Sequence, residues 1–570
     1  MFSNKENVNI LTSLLVAHGV THAVVCPGSR NAPIVHNLNE CPDITCFPVT
    51  DERSAGFYAL GIALALREPV VVCVTSGTAV LNLAPSIAEA YYQHVPLIVI
   101  SADRPPQWID QKDGQTLPQP DALGRFVRKA VSVPEPHDDE ERWYCNRLVN
   151  EALLAAFSRW RQPVHINVPL SEPLFDFKVE DLPDERAVGS AYGMLAHGHL
   201  ASDFSPLYDF WKARRPMIVV GQNDRFALND DWPLWKHVVV LHESIGCDSG
   251  ACLFDEVLSQ KDLNALTPDF VLYGGGTFVS KRLKSFLRSC KNTCFWEISE
   301  DGTLHDTFMN ANGVLEGDLN DVLGLFNDFL SDTDYYETLY DIKLGEPADT
   351  EAFCKQWHDA LKQAEQHRDS YVPAFSQMAA VRCLEAAVER YSMKTNTPPA
   401  VHYANSMPVR LANLYSKGFV WCNRGVNGIE GSLSTAAGFS LVKECLVVCV
   451  VGDLSFFYDQ NALWNQNLCG NLRILLLNNG CGGIFTMLPG LEQSAARDRI
   501  IAAAHQTTAE GICRQNDVVY LKAENMEQLQ PAIDTLLNIE GTRPVLLEVF
   551  TDTADDKRVY KDYCSAHRQG

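Results

Sequence analysis

Two short segments place oxygen donors where a charged ligand could be held. Gly452-Asp453-Leu454-Ser455 follows the apolar run at residues 445–451, and Asn478-Asn479 follows a second apolar run at residues 472–477. Both runs read as buried parallel strands, and in an open parallel sheet ligands bind outside the carboxyl ends of the strands. Side by side, a carboxylate, a side-chain amide and a nearby backbone carbonyl form a hard oxygen set suited to Mg²⁺, with diphosphate oxygens and water completing about six ligands. Gly452 lets the backbone approach a phosphate closely. Either dipeptide alone is an ordinary turn signal; the two together, each leaving a strand, point to a site. Glu52 is a further acid of interest, in the segment Asp51-Glu52-Arg53-Ser54-Ala55-Gly56-Phe57 that opens a helix. An acid in a first helical turn complements the helix dipole. In an apolar pocket, with its pKa raised, the same carboxyl can share a proton with a bound ring.

The elements that must carry these residues alternate along the chain. The first 180 or so residues pass from VTHAVVCPGS to the helix-like DERSAGFYALGIALAL, the strand PVVVCVTSG, a helix from about Ala79 to Tyr92 and the strand VPLIVISADRP. That order predicts a parallel sheet with helices on both faces. RRPMIVVGQND and FVLYGGGTF mark a second such unit; GFVWCNRG, ECLVVCVVGDLSFF and NLRILLLNNGCGG mark a third. The chain turns polar and loses period at residues 183–203 and 332–349. Three α/β domains are therefore expected, at 1–182, 190–345 and 360–570, each a doubly wound parallel sheet. No short repeat is visible.

Composition narrows the function. At 570 residues with 46% hydrophobic and 21% charged residues, the chain is ordinary globular protein. No stretch approaches the roughly 18 apolar residues of a membrane span, and the first residues lack a signal-peptide pattern, so a cytoplasmic protein is expected. The 18 cysteines form no CxxC pair and read as reduced structural thiols. A net charge of −24 disfavours nucleic acid and anionic membranes as partners, so an anionic substrate needs a local cluster of arginines.

Gly-Asp followed by Asn-Asn at this separation resembles the diphosphate-anchoring motif of thiamine diphosphate enzymes. The resemblance implies that the side chains of Asp453 and Asn479 and the carbonyl of Cys481 bind Mg²⁺ or Mn²⁺, with Gly452, Leu454 and Ser455 against the cofactor. It also implies that Glu52 exchanges a proton with the aminopyrimidine ring. The superfamily usually reads Gly-Asp-Gly and often has glycine two residues after the second asparagine; Leu454 and Cys481 stand at those places here.

Further segments narrow the resemblance: CPGSRNAP, TSGTAVLNLAP, SADRPP with Gly114-Gln115, SKRL from Ser280, ANSMPVR from Ala404, and NRGVNGIEGSLSTAAG. Taken in order, over nearly the full length, they are similar to the 2-succinyl-5-enolpyruvyl-6-hydroxy-3-cyclohexene-1-carboxylate synthase family. That similarity implies decarboxylation of 2-oxoglutarate and conjugate addition of the resulting carbanion to isochorismate in menaquinone biosynthesis. It implies substrate contacts at Ser29, Arg30, Arg104, Gln115, Lys281, Arg282, Ser406, Arg410 and Arg424. Ile429 would prop the cofactor into its bent shape and Phe485 would lie beside the site. It further implies a homodimer or a dimer of dimers, with Glu52 and Asp453 of one site on different chains. Guanidinium forks and a lysine suit two substrates that are both dianions.

Other readings are weaker. An acetolactate synthase or 2-oxo acid decarboxylase would share Glu52, Asp453 and Asn479 but would not need the arginines, and a non-catalytic relative would not need Glu52. Gly274-Gly275-Gly276 lacks the spacing of a dinucleotide fingerprint and reads as a tight turn. His18, His22, His36 and His94 lack metal-ligand spacing, Tyr91-Tyr92 reads as packing, and Ser54 and Ser76 have no partners in a hydrolase-like order.

Overall fold

In the computed structural model the described residues are 1–189, 204–229 and 231–567. The expected linker at 183–203 lies largely outside them, as do the expected start of the central domain at 190 and the chain end at 570. A short antiparallel pair joins β1 (Phe2–Ser3) to β8 (Phe177–Val179). Three parallel sheets make up the rest. The first contains β2 (His22–Val25), β3 (Thr45–Pro48), β4 (Val70–Val74), β5 (Leu97–Asp103), β6 (Lys129–Ser132) and β7 (Val164–Pro169), in the order β3-β2-β4-β5-β7-β6. The second contains β9 (Pro216–Val220), β10 (Val239–His242), β11 (Phe270–Gly274), β12 (Cys294–Ser299) and β13 (Ala311–Glu316), in the order β10-β9-β11-β12-β13. The third contains β14 (Ala400–Tyr403), β15 (Val420–Trp421), β16 (Val447–Gly452), β17 (Leu472–Asn478), β18 (Val519–Ala523) and β19 (Val545–Phe550), in the order β15-β14-β16-β17-β19-β18.

The expected parallel α/β architecture is present in all three sheets. The inner strands explain why: β4, β5, β7 and β17 are buried at every residue and are rich in Val, Ile and Leu, as strands covered on both faces must be. The first and third sheets also share one strand order, a duplication that no sequence repeat discloses.

These two sheets meet through equivalent helices. Asp51 caps the helix Glu52–Leu66, its carboxylate accepting the amides of Arg53 and Ser54, and residues 54–65 of that helix are all buried. A helix apolar on every side must be covered on every side. One cover is the helix Ser432–Ser440 of the third sheet. A β-carbon on Gly61 would lie 2.0 Å from the carbonyl oxygen of Thr435, and one on Gly438 would lie 2.2 Å from that of Tyr58. The two backbones therefore touch directly, and a single apolar core runs from Val24 and Leu97 through to Leu433 and Leu476.

Local expectations differ in two places. The helix expected from Ala79 to Tyr92 is two helices, Ala79–Asn82 and Ala84–Tyr92. Pro85 has no amide hydrogen to continue the first and instead sits in the opening turn of the second. The segment 332–349, expected to lack periodic structure, holds the helix Thr333–Tyr340, started by Asp332 accepting the Tyr335 amide. Capping supplies what hydrophobic periodicity does not.

Candidate active site

β16 and β17 pair with Gly452 opposite Leu477, so the turns leaving them start side by side. The Asp453 carboxylate is buried, and its neighbours fix it. Oδ1 accepts the Leu454 amide at 2.7 Å, and Oδ2 accepts the Cys481 amide at 3.0 Å and faces Nε2 of His505 at 3.4 Å. Nδ1 of His505 accepts the Thr507 amide at 3.1 Å, which leaves the proton of the neutral ring on Nε2, toward Asp453. Burial pushes the Asp453 carboxyl above its ordinary range, and the amides and the imidazole oppose that shift. The Cys481 amide thus ties the second turn to the acid of the first. Gly480, at φ +74°, makes the sharp reversal between Asn479 and Cys481.

A β-carbon on Gly452 would meet nothing within 4 Å, so open space lies in front of this turn. The residues therefore fit a bound diphosphate and cation: free room at a strand end, two oxygen-bearing side chains, and a buried imidazole nitrogen, Nε2 of His505, that makes no hydrogen bond among the described residues. The Ser455 hydroxyl donates to the carbonyl of Ile429, tying the helix Asp453–Tyr458 to the loop that presents Ile429. Ile429 itself is 43% exposed, as a side chain awaiting a partner would be. Leu454 is half-buried, and it and the ring of Phe485 both lie against Gly482.

Glu52 is half-buried, and its Oε2 accepts a hydrogen bond from Nδ2 of Asn82 at 3.1 Å. The apolar enclosure expected around it is not seen: the side chain is only partly covered and its partner is a polar amide. Its neighbours reach the third domain: Arg53 donates to the carbonyl of Tyr458 at 2.8 Å, and Asp51 accepts from Asn461 at 2.7 Å. Among the described residues no hydrogen bond joins Glu52 to either turn at 453 or 479.

The residues expected to touch substrate fall into two groups. Ser29, Arg30, Arg104 and Gln115 lie beyond the carboxyl ends of β2 and β5. Ser29 and Gln115 are exposed, and the backbone of Gln115 covers Gly77 at 3.3 Å from its hypothetical β-carbon. Arg30 is buried and donates to the carbonyl of Leu170 and to Glu172, both at 2.9 Å. Burial and the charge of Arg104 push its pKa down, and Glu172 opposes them. Arg104 lies 3.7 Å from Asp113, and its buried Nε has no partner among the described residues.

The second group gathers between the central and third domains. Arg424 donates to Oδ1 of Asn405 at 3.1 Å and to the carbonyl of Phe278 at 3.3 Å, again leaving a buried Nε without a partner among the described residues. Arg410 lines a small cavity of about 40 Å³ with Glu243, Asp255 and Ser280. Ser406 has φ +78° and ψ −125°, a strained backbone for a residue with a β-carbon. Lys281 is exposed in the first turn of the helix Lys281–Ser289, and Arg282 is engaged by Asp255. Among the described residues no hydrogen bond or ion pair joins the two groups. A cleft of about 390 Å³ opens beyond β9 and β11 between Gln93, Gly275, Lys284 and Trp421; Tyr92, His94 and Gly276 also line it, but none of the residues expected to bind cofactor, metal or substrate does.

Several further residues hold this site, none of them assigned a role from the sequence. Glu89 accepts the amides of Gly425 and Val426, and Glu243 accepts those of Val279 and Ser280. Asn405 donates to the carbonyls of Asn423 and Gly428 at 2.6 and 2.7 Å. Asp556 accepts from Asn479 at 3.1 Å. Only Asn405 stood inside a segment already marked, ANSMPVR.

Residues 6–123 match the family described as "Thiamine pyrophosphate enzyme, N-terminal TPP binding domain". Over the whole length, the chain is 43% identical to the 2-succinyl-5-enolpyruvyl-6-hydroxy-3-cyclohexene-1-carboxylate synthase of Bacteroides thetaiotaomicron, covering 99% of both chains. It is 40% identical to the protein of that name from Phocaeicola vulgatus, covering 99% of this chain and 98% of the other. For the one from Desulfotalea psychrophila the identity is 34%, with 96% and 98% covered. The chain belongs to the 2-succinyl-5-enolpyruvyl-6-hydroxy-3-cyclohexene-1-carboxylate synthase family. As a member of that synthase family it is a thiamine diphosphate enzyme, with one α/β domain of the family's N-terminal type and two further parallel-sheet units.

Proposed function

We propose that the protein decarboxylates 2-oxoglutarate and adds the resulting carbanion to isochorismate, giving 2-succinyl-5-enolpyruvyl-6-hydroxy-3-cyclohexene-1-carboxylate and CO₂ in menaquinone biosynthesis. One observation carries the reading: likeness to proteins named for this product runs through the arginine-bearing segments as well as the diphosphate turn. Bound thiamine diphosphate supplies the electron sink that decarboxylation needs. Asp453, Asn479 and the carbonyl of Cys481 hold Mg²⁺ or Mn²⁺, and Gly452, Leu454 and Ser455 line the diphosphate. Ile429 and Phe485 shape the pocket and keep water out of it. Glu52 holds the proton exchanged with the pyrimidine ring. The unpaired Nε atoms of Arg104 and Arg424, with Ser29, Arg30, Gln115, Lys281, Arg282, Ser406 and Arg410, take the substrate carboxylates.

The division 1–182, 190–345 and 360–570 separates the pyrimidine-binding, central and diphosphate-binding domains. The working unit is a homodimer or a dimer of dimers in the cytoplasm, in which Glu52 of one subunit acts with the partner subunit's Asp453. Two features support this: Glu52 is only half-buried in a single chain, and among the described residues it makes no hydrogen bond to its own turns at 453 and 479. Among the described residues no helix is long and apolar enough to cross a membrane.

The test is an assay of purified protein with thiamine diphosphate, Mg²⁺ and 2-oxoglutarate, following CO₂ release and product mass with and without isochorismate. A carboxycyclohexene adduct that needs both substrates is the expected result. Turnover of pyruvate with none of 2-oxoglutarate would discard the substrate assignment and keep the cofactor.

A further inference from the structure

The two adjacent asparagines have different surroundings. Asn478 is spent inside the protein: its Nδ2 donates to Glu548 at 2.7 Å and to the carbonyl of Thr507 at 3.0 Å, and its Oδ1 accepts the Gly480 amide at 3.0 Å. Asn479 is spent on one side only. Its Nδ2 donates to Oδ2 of Asp556 at 3.1 Å, and among the described residues its Oδ1 accepts no hydrogen bond.

Asp556 is itself immobilised. It is buried on the helix Thr553–His567, and its Oδ2 also accepts the Thr551 hydroxyl at 2.9 Å while its Oδ1 accepts the Gln377 amide at 2.8 Å. The same helix grips the turn at a second point. The Thr553 hydroxyl donates to the carbonyl of Asn479 at 3.0 Å and lies 3.2 Å from Sγ of Cys481.

The chemistry of the pair decides the amide's orientation. A carboxylate accepts hydrogen bonds and an amide NH₂ donates them, so Asp556 selects the rotamer that turns Nδ2 toward itself and Oδ1 away. An amide oxygen binds a hard cation and an amide nitrogen does not. We propose that Asp556 is a positioning residue of the metal site, fixing the amide of Asn479 so that Oδ1 faces the cation. The inference rests on the reading of Asn479 as a metal ligand. It assigns the C-terminal helix a part in metal binding that no motif marks. Partners that orient ligands in this way typically contribute about 10–100-fold in metal affinity.

The experiment titrates Mn²⁺ into the full-length apoprotein with thiamine diphosphate, reading free Mn²⁺ by electron paramagnetic resonance and melting temperature in parallel. Asp556→Asn keeps the shape but offers either an oxygen or an NH₂ to Asn479, so Mn²⁺ affinity should fall by about 10–100-fold. Thr551→Val removes a different bond to the same Asp556 oxygen, and its Mn²⁺ affinity should stay within about threefold of wild type whatever it does to melting. Equal losses of affinity in the two variants would reduce Asp556 to a structural role and overturn the proposal. So would unchanged affinity in Asp556→Asn while Asn479→Ala loses binding. Unchanged affinity in Asn479→Ala would overturn the metal assignment itself, and the proposal with it.

Discussion

Glu89, on the first-domain helix Ala84–Tyr92, accepts the backbone amide of Gly425 at 2.6 Å from across the domain boundary. Its other oxygen takes the amide of Val426 at 2.7 Å, and a β-carbon on Gly425 would lie 2.7 Å from the carbonyl of Glu89. The loop that carries Arg424 and Ile429 is thus fastened to the first domain by a buried carboxylate. Glu89→Gln leaves one of those amides facing an NH₂ group. Its cost should be about 2–3 kcal/mol, the value of a hydrogen bond to a charged partner, measured by urea unfolding. A rise in KM for the oxo acid should accompany it, because Arg424 moves with the loop. Unaltered stability and KM would show that the loop holds its shape without the clamp.

Glu243 makes a pH prediction. Burial holds its carboxyl up to about 7, against the amides of Val279 and Ser280. The folded chain therefore keeps a proton that the unfolded chain releases at ordinary glutamate pH. Stability from this group is complete at low pH and is lost as pH rises through about 7. Between pH 5 and pH 8 the wild type should lose on the order of 3 kcal/mol more unfolding free energy than Glu243→Gln does. Parallel pH profiles would show that the carboxyl is ionised throughout.

At the crossing of the helices Glu52–Leu66 and Ser432–Ser440, Gly61→Ala puts a methyl group within 2.0 Å of a backbone oxygen. Backbone cannot rotate out of the way as a side chain can. Destabilisation of about 3 kcal/mol or more is expected, from the usual cost of overpacking, seen as a lower melting temperature. Gly452→Ala, where a β-carbon meets open space, should melt like wild type.

Glu52→Gln keeps the bond to Asn82 but cannot hold the exchanging proton. Turnover should fall by about 10²–10⁴-fold, the usual contribution of an acid–base group. Exchange of the thiazolium C2 proton, followed by magnetic resonance in deuterated water, should slow in proportion while Mn²⁺ affinity is unchanged. Wild-type exchange in the variant would remove Glu52 from the activation step.

The sequence exposed some layers of this protein and hid others. Buried strands such as β4 and β17 announce themselves by apolar runs, and residues at their ends can be located from those runs alone. The turn at Asp453 was legible for that reason. Glu89, Glu243 and Asp556 were not, because Glu89 and Asp556 are acids on helices and Glu243 is an acid in the loop after β10, where nothing in the sequence signals that the side chain points inward. What makes them part of the site is a backbone amide or a side chain distant in sequence, from 36 positions away for Glu243 to 337 for Glu89. Pro85 and the cap at Asp332 were visible in principle; the periodic pattern around the one, and its absence around the other, masked them. The contact of Gly61 with Thr435 needs the third dimension entirely.

The shared strand order of the first and third sheets has one further consequence. Arg104 is the residue immediately after β5, and Asn479 is the residue immediately after β17, the strand in the corresponding place. One scaffold, used twice in a chain, presents different chemistry from the same address: a guanidinium in one copy and a side-chain amide in the other, which on the proposed roles would face an anionic substrate and a cation. A duplicated sheet lets each copy carry its own residues at the strand exits without disturbing the strands beneath.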